Sequence, residues 1–229
     1  MSEPRFQTLI LDLDDTLIPT SDVLIPPAIQ EVHQIMQEYG LKWTLEEFNT
    51  YRKSNMNQKS HREIFKQIVD LNHLKPKEHI IMRTFKAFYE GPVPNPLPLL
   101  PGALSNLQAL APKYNLFLMT GGRKSNQRHK IKISGIEAFF NEILVVDESW
   151  DFQKIKALEF WIKNRMIVPE RTLSLGNRLK DEIKVSKKMG LFTCHIRFGE
   201  HAYELPETRD EIPDFSINNH AEFISTCQL

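Results

Sequence analysis

Five short runs of aliphatic and β-branched residues restrict the fold of this chain more than any other feature of its sequence. They occupy residues 8–14 (TLILDLD), 115–120 (NLFLMT), 142–147 (EILVVD), 172–176 (TLSLG) and 192–196 (FTCHI). Each is bounded by Gly, Pro, Asp or Thr and is too short for a buried helix, and the stretches between them are long enough for amphipathic helices. That arrangement predicts an α/β fold with a parallel sheet and crossover helices. With 229 residues, 41% of them hydrophobic, the chain has the apolar material for one large domain or a domain with a smaller insert.

Between the first run and the second lies a long block without a strand. Pro26 and Pro27 open a helix whose apolar face is Ile29, Val32, Met36 and Tyr39, with Gly40 placed to close it. Thr44 and Glu47 have capping-box spacing for a second helix. Ile64, Phe65 and Ile68 mark a third, and Pro76 to Gly91 encloses a fourth carrying Ile80, Ile81, Phe85 and Phe88. The segment 92–98 (PVPNPLP), with four prolines in seven residues, favours extended chain returning to the sheet. The organisation expected is therefore a core of residues 1–18 and 98–229, with an all-helical insert at 19–97.

The chemistry concentrates in residues 9–18 (LILDLDDTLI). In an extended strand, residues i and i+2 share a face, so Asp12 and Asp14 are expected to project together from the carboxyl end of the first strand. Open α/β sheets bind their ligands at that end. Two such carboxylates repel unless a cation or a shared proton offsets them, and magnesium with oxygen ligands meets that need. An EF-hand loop is excluded, because Leu17 stands where its turn glycine belongs and Val23 where its closing glutamate belongs.

The run from Asp12 to Leu17 (DLDDTL) resembles the DxDxT nucleophile motif of the haloacid dehalogenase superfamily, and four further segments follow in that family's order. FLMTG at 117–121 is similar to the strand ending in Ser or Thr, and 120–140 to the helix and Gly-Ile turn after it. KIKALEF at 154–160 is similar to the conserved-lysine helix, and VPERTLSLG at 168–176 to the approach to the last motif. The resemblance covers about 150 residues of core and implies a Rossmann-like sheet, with the insert standing where a type 1 cap belongs. It also implies a nucleophile, Asp12, that forms an aspartyl-phosphate, and a general acid and base, Asp14. Thr120, Gly121 and Lys154 would hold the phosphoryl oxygens, and Mg2+ would be bound by Asp12, the Asp14 main chain and Asn177. The presence of Asp14 favours a phosphatase of a small phosphorylated metabolite, since dehalogenases proper lack an acid there and release no alcohol that needs a proton. A non-catalytic or regulatory scaffold and a 2-haloacid dehalogenase remain the alternatives.

The family usually reads Gly-Asp at 176–177 with a second acid four or five residues on. This chain has Asn177, followed by Asp181 or Glu182. Losing one charge about 4 Å from a cation removes up to ~4 kcal/mol at an effective dielectric near 20, offset in part because no carboxylate is desolvated. A net ~1.4 kcal/mol is already tenfold in affinity, so weaker magnesium binding is expected.

Other side chains have blander readings. Lys154 is preferred over Lys156 from its spacing to Phe160. Arg123, Lys124, Arg128, His129, Lys130 and Lys132 form a cluster expected to be a solvated helix face, with Arg123 near enough the strand end to meet an anion. His195 is expected in the core and His201 near the mouth of the site. Lys53 and Lys59 in the insert are read as solvated, without the desolvation a Schiff-base lysine needs. Thr20, Ser21 and Asn55 are candidate substrate contacts. Lys plus Arg equals Asp plus Glu at 29 each, so no global field draws nucleic acid or an anionic membrane. Cys194 and Cys227 lack CxxC spacing and read as buried side chains of a reducing compartment. MSEPRF carries no apolar signal core and no run reaches the ~20 residues that span a bilayer, so the expected location is cytoplasmic.

Overall fold

A computed structural model describes residues 4–147 and 153–229. The start of MSEPRF lies outside them. Six parallel strands form one sheet in the order β3-β2-β1-β4-β5-β6. They are β1 (Thr8–Leu11), β2 (Asn115–Gly121), β3 (Glu142–Val146), β4 (Thr172–Gly176), β5 (Phe192–Ile196) and β6 (Phe215–Ile217). Five coincide with the apolar runs. The three residues of β6 alternate too briefly to give a strand pattern, and β6 exists by pairing with β5 through Cys194 to Ile196. β1 is shorter than expected, stopping at Leu11, so Asp12 and Asp14 lie in the loop beyond it rather than on one strand face. That loop turns on Asp15, at φ 56°, and is closed by the Asp15 amide donating to the Ile18 carbonyl at 2.8 Å.

The chain divides into two compact units, Met1–Thr20 with Pro94–Leu229, and Ser21–Val93. The division falls inside the proline-rich segment on one side and just past Thr20 on the other. The second unit contains α2 (Ile25–Glu38), α3 (Leu45–Asn55), α4 (His61–Leu71) and α5 (Lys77–Glu90), preceded by a short turn of helix, α1 (Thr20–Val23). The start of α2 carries Pro26 and Pro27, and beyond its end Gly40 takes φ 99°. Thr44 caps α3 with the expected box, and Ser60 with Glu63 makes a second box on α4. Ile29, Val32, Met36, Phe48, Ile64, Phe65, Ile68 and Ile80 form this unit's own core.

In the sheet unit, α6 (Ala103–Leu110), α7 (Lys124–Ile133) and α8 (Lys154–Lys163) connect the first strands, and α10 (Phe223–Cys227) closes the chain. Ile10, Phe117 and Met119 from the sheet pack with Ala157, Leu158 and Trp161 of α8. After β4 the chain makes a wide helical turn, Leu179–Ile183, that runs on as α9 (Lys184–Lys188). Residues 204–214 pair with this helix. Glu204 Oε2 accepts from the Leu179 amide at 2.7 Å, satisfying a free donor at the helix start. Glu207 pairs with Lys180, Glu211 with Lys184 at 2.8 Å, and Asp214 with Lys187 at 2.8 Å. Among the described residues no helix is long and apolar enough to cross a membrane.

Candidate active site

Strand order decides where the functional side chains meet. β1 lies between β2 and β4, so the connections leave it in opposite directions, and such a reversal opens a crevice at the carboxyl ends of the strands. Asp12 follows β1, with its amide donating to the Leu175 carbonyl at 3.0 Å as a last rung of the ladder. Thr120 and Gly121 end β2, and Asn177 follows β4. All of these residues belong to the sheet unit.

One group of side chains gathers on Lys154, the first residue of α8, which is 5% exposed. Its ammonium lies 3.1 Å from Asp12 Oδ1 and 3.2 Å from Asp181 Oδ2, and it is bound closely by Glu182 Oε1. Both candidate acids after Asn177 therefore meet the same lysine, although sequence spacing called for one. Lys154, rather than Lys156, is the lysine at Asp12. Gly176 makes room for this arrangement, since a Cβ there would stand 2.5 Å from the Glu182 Cβ. Glu182 Oε2 also accepts from the Arg178 amide at 2.9 Å. Burial pushes the Glu182 carboxyl up from its ordinary value against the pull of the Lys154 ammonium. Burial likewise raises the Asp12 carboxyl, with Lys154 opposing. The three surrounding carboxylates outweigh burial at Lys154 and hold its pKa well above the usual lysine value.

A second group gathers on Asp14. Lys130 donates to Oδ1 at 2.7 Å, Gln127 to Oδ2 at 2.7 Å, and the Thr20 hydroxyl to Oδ1. Burial alone would raise this carboxyl, but the Lys130 ammonium and the other donors outweigh it, so the pKa is lowered and the ionised form favoured. The solvated-face reading of the basic cluster is thus wrong for Lys130, whose side chain is only 15% exposed. Arg128 is also engaged, donating to the Ile143 carbonyl at 3.0 Å. Gln127 escaped the sequence reading altogether. It stands three residues before Lys130 on α7, and that i, i+3 pair of polar side chains was the available signal.

Asn177 is 3% exposed. Its Nδ2 faces the Phe198 carbonyl at 3.4 Å, which assigns the amide oxygen as the free end. The His195 Nε2 donates to the Asn177 carbonyl at 3.0 Å from inside β5, so His195 braces this loop. Among the described residues no three His, Cys, Asp or Glu side chains are placed to hold a metal ion. A cation would therefore rely on the Asp12 carboxylate, the Asn177 amide oxygen and main-chain oxygen. That all-oxygen, low-charge set suits magnesium, which keeps much of its water.

His201 faces Glu204, with Nδ1 3.8 Å from Oε1, and burial pushes its pKa down to about 4. Arg123 and Lys53 are exposed. In the helical unit Asn55 donates to the Tyr51 carbonyl at 2.8 Å, and Lys59 is tied to Asn55 and Gln67 rather than simply solvated. Cys194 and Cys227 are buried and free.

The family model described as haloacid dehalogenase-like hydrolase matches residues 9–196. The chain is 25% identical over 229 residues to the glyceraldehyde 3-phosphate phosphatase of Methanopyrus kandleri, covering 95% of each. It is 26% identical over 221 residues to the enzyme of the same name from Methanocaldococcus jannaschii, covering 94% of each. Its fold is similar to the crystal structure of the hydrolase YfnB from Bacillus subtilis bound to magnesium, with TM-score 0.69 and 21% identity over 97% of this chain and 98% of that one.

Proposed function

Because this chain belongs to the haloacid dehalogenase-like hydrolases, we propose that it is a magnesium-dependent phosphatase of small phosphate monoesters. Asp14 is the observation that carries this reading: a second carboxylate in the Asp12 loop, held by Lys130, Gln127 and Thr20, has a task only where an alcohol leaves. The phosphatases named above, matched over nearly their whole length, support the same substrate class.

Asp12 attacks phosphorus and forms an aspartyl-phosphate while the ester oxygen leaves, which divides one difficult displacement into two. The charge of a phosphate bound beside it raises the proton affinity of Asp14, and in that protonated form Asp14 gives its proton to the leaving alcohol. As the carboxylate its surroundings favour, it then takes a proton from the water that attacks the aspartyl-phosphate. Lys154, the Thr120 hydroxyl and the Gly121 main chain hold phosphoryl oxygens, with a Cβ at Gly121 lying only at contact distance, 3.9 Å, from the Lys154 Cε. Asp181 and Glu182 keep the Lys154 ammonium charged and aimed. Magnesium, held by the Asp12 carboxylate, the Asp14 carbonyl and the Asn177 amide oxygen, would neutralise charge on the phosphoryl group. We assign the helical unit, Ser21–Val93, the part of a cap that selects the leaving group.

The test is phosphate release from p-nitrophenyl phosphate and a panel of sugar and triose phosphates at tens of millimolar magnesium. Activity abolished by Asp12→Asn and by chelation is expected. Release no faster than that of Asp12→Asn across the panel sinks the proposal.

A further inference from the structure

We infer that Gln127, assisted by Lys130, is a positioning residue that directs the Thr120 hydroxyl and aims Asp14. The inference rests on the phosphatase reading above for its chemistry and on the α7 geometry for its substance.

Gln127 is 3% exposed, and its Nε2 lies within hydrogen-bond distance of Asp14 Oδ2 (2.7 Å), Thr120 Oγ1 (2.6 Å) and the Gly121 carbonyl (3.0 Å). A carboxylate and a carbonyl only accept, so the amide end that faces them has to be the NH2, and an NH2 only donates. With two hydrogens for three acceptors, the shortest contacts, Thr120 Oγ1 at 2.6 Å and Asp14 Oδ2 at 2.7 Å, take them, so Thr120 Oγ1 is the acceptor in its bond with Gln127. The hydroxyl's own hydrogen is directed elsewhere, ready for a group that brings only lone pairs, as phosphoryl oxygen does. A single side chain thus fixes the polarity of the group after β2 and the orientation of the carboxylate after β1. Lys130, one turn further on α7, takes the other Asp14 oxygen at 2.7 Å, so the carboxylate cannot rotate. Gly122, at φ 133°, turns the chain beside this amide, and a Cβ there would meet the Gln127 Cγ at an ordinary contact distance of 3.4 Å.

Two near-isosteric changes separate direction from packing. Gln127→Met keeps the length and removes the donor, whereas Gln127→Glu keeps the shape and turns donor into acceptor, so that it captures the Thr120 hydrogen. Gln127→Met is expected to lower kcat about tenfold to hundredfold with KM within about threefold, the scale of a misaimed reacting group. Gln127→Glu is expected to lose more. Lys130→Met should lose less, with Lys130→Arg recovering most of it. Equal kcat in wild type, Gln127→Met and Gln127→Glu, all with intact folding by circular dichroism, overturns the inference, as does an equal loss in both Gln127 variants. A second readout needs no turnover: the direction of the buried Thr120 O–H, from the coupling between its hydroxyl proton and Hβ. A changed coupling in both Gln127 variants supports the inference even in a chain that hydrolyses no phosphate ester, and an unchanged coupling in both overturns it.

Discussion

At the scale of single residues, Asn177 and Gly176 make separable contributions. Asn177 offers an amide oxygen where a carboxylate would add a charge, while Asp12, Asp181 and Glu182 already surround Lys154. Asn177→Asp should therefore tighten magnesium binding about tenfold or more, given ~1.4 kcal/mol per decade, as measured by calorimetric titration of the protein without substrate. An unchanged affinity would mean that the acids on Lys154 already supply the field. Gly176→Ala places a methyl 2.5 Å from the Glu182 Cβ, so Glu182 has to move and Lys154 loses its nearest partner. A fall in kcat of about a hundredfold or more is expected from steady-state kinetics. Asp12, Asp14, Thr120 and Lys154 were legible in the sequence because motif spacing marks them. Gln127 was not, because an amide on a polar helix face looks solvated until the Gly122 turn is seen to bring that face against β2.

At the scale of elements, the helix that begins at Leu179 is fastened by residues 204–214. Glu211 is the buried tooth of that fastening, with its side chain 1% exposed and 2.8 Å from the Lys184 Nζ. Burial pushes its carboxyl up, but Lys184, the Glu207 amide and Thr208 outweigh this and lower it to about 2. A carboxyl bound more weakly to its proton when folded contributes stability above its unfolded pKa near 4.5, and that contribution is lost as pH falls towards 2. Thermal melts of Glu211→Gln against wild type should therefore differ most at pH 6 and converge towards pH 2 to 3. A gap that stays constant with pH would show that shape, not charge, holds the tooth. The strands that build the site were readable from apolar runs. β6 and the acidic segment before it were not, because a three-residue strand and scattered acids carry no periodicity and gain meaning only against β5 and α9.

At the scale of the molecule, two cores are built from different stretches of chain. Phe65, fully buried among Phe48 and Phe88, belongs to the helical unit alone. Phe65→Ala should cost about 3–5 kcal/mol and speed amide exchange in α2 to α5 while β1, β2 and β4 keep wild-type protection, as read by hydrogen-exchange mass spectrometry. Exchange rising equally in both units would show that they unfold as one. The helical block and its proline-rich return were plain from caps and prolines, whereas the division at Val93 and Thr20 needed the folded chain. The fastening of α9 also governs where the chain can change length. Lysines 180, 184 and 187 advance by four and then three residues, acids 207, 211 and 214 advance identically, and each pair is separated by 27 positions. Insertions beside Tyr203, which is 95% exposed, slide the acidic segment as a whole and can be taken up as slack. One residue inserted between 208 and 210 puts every later tooth out of step, so this short stretch should reject the grafted peptides and length variation that the turn before it accepts.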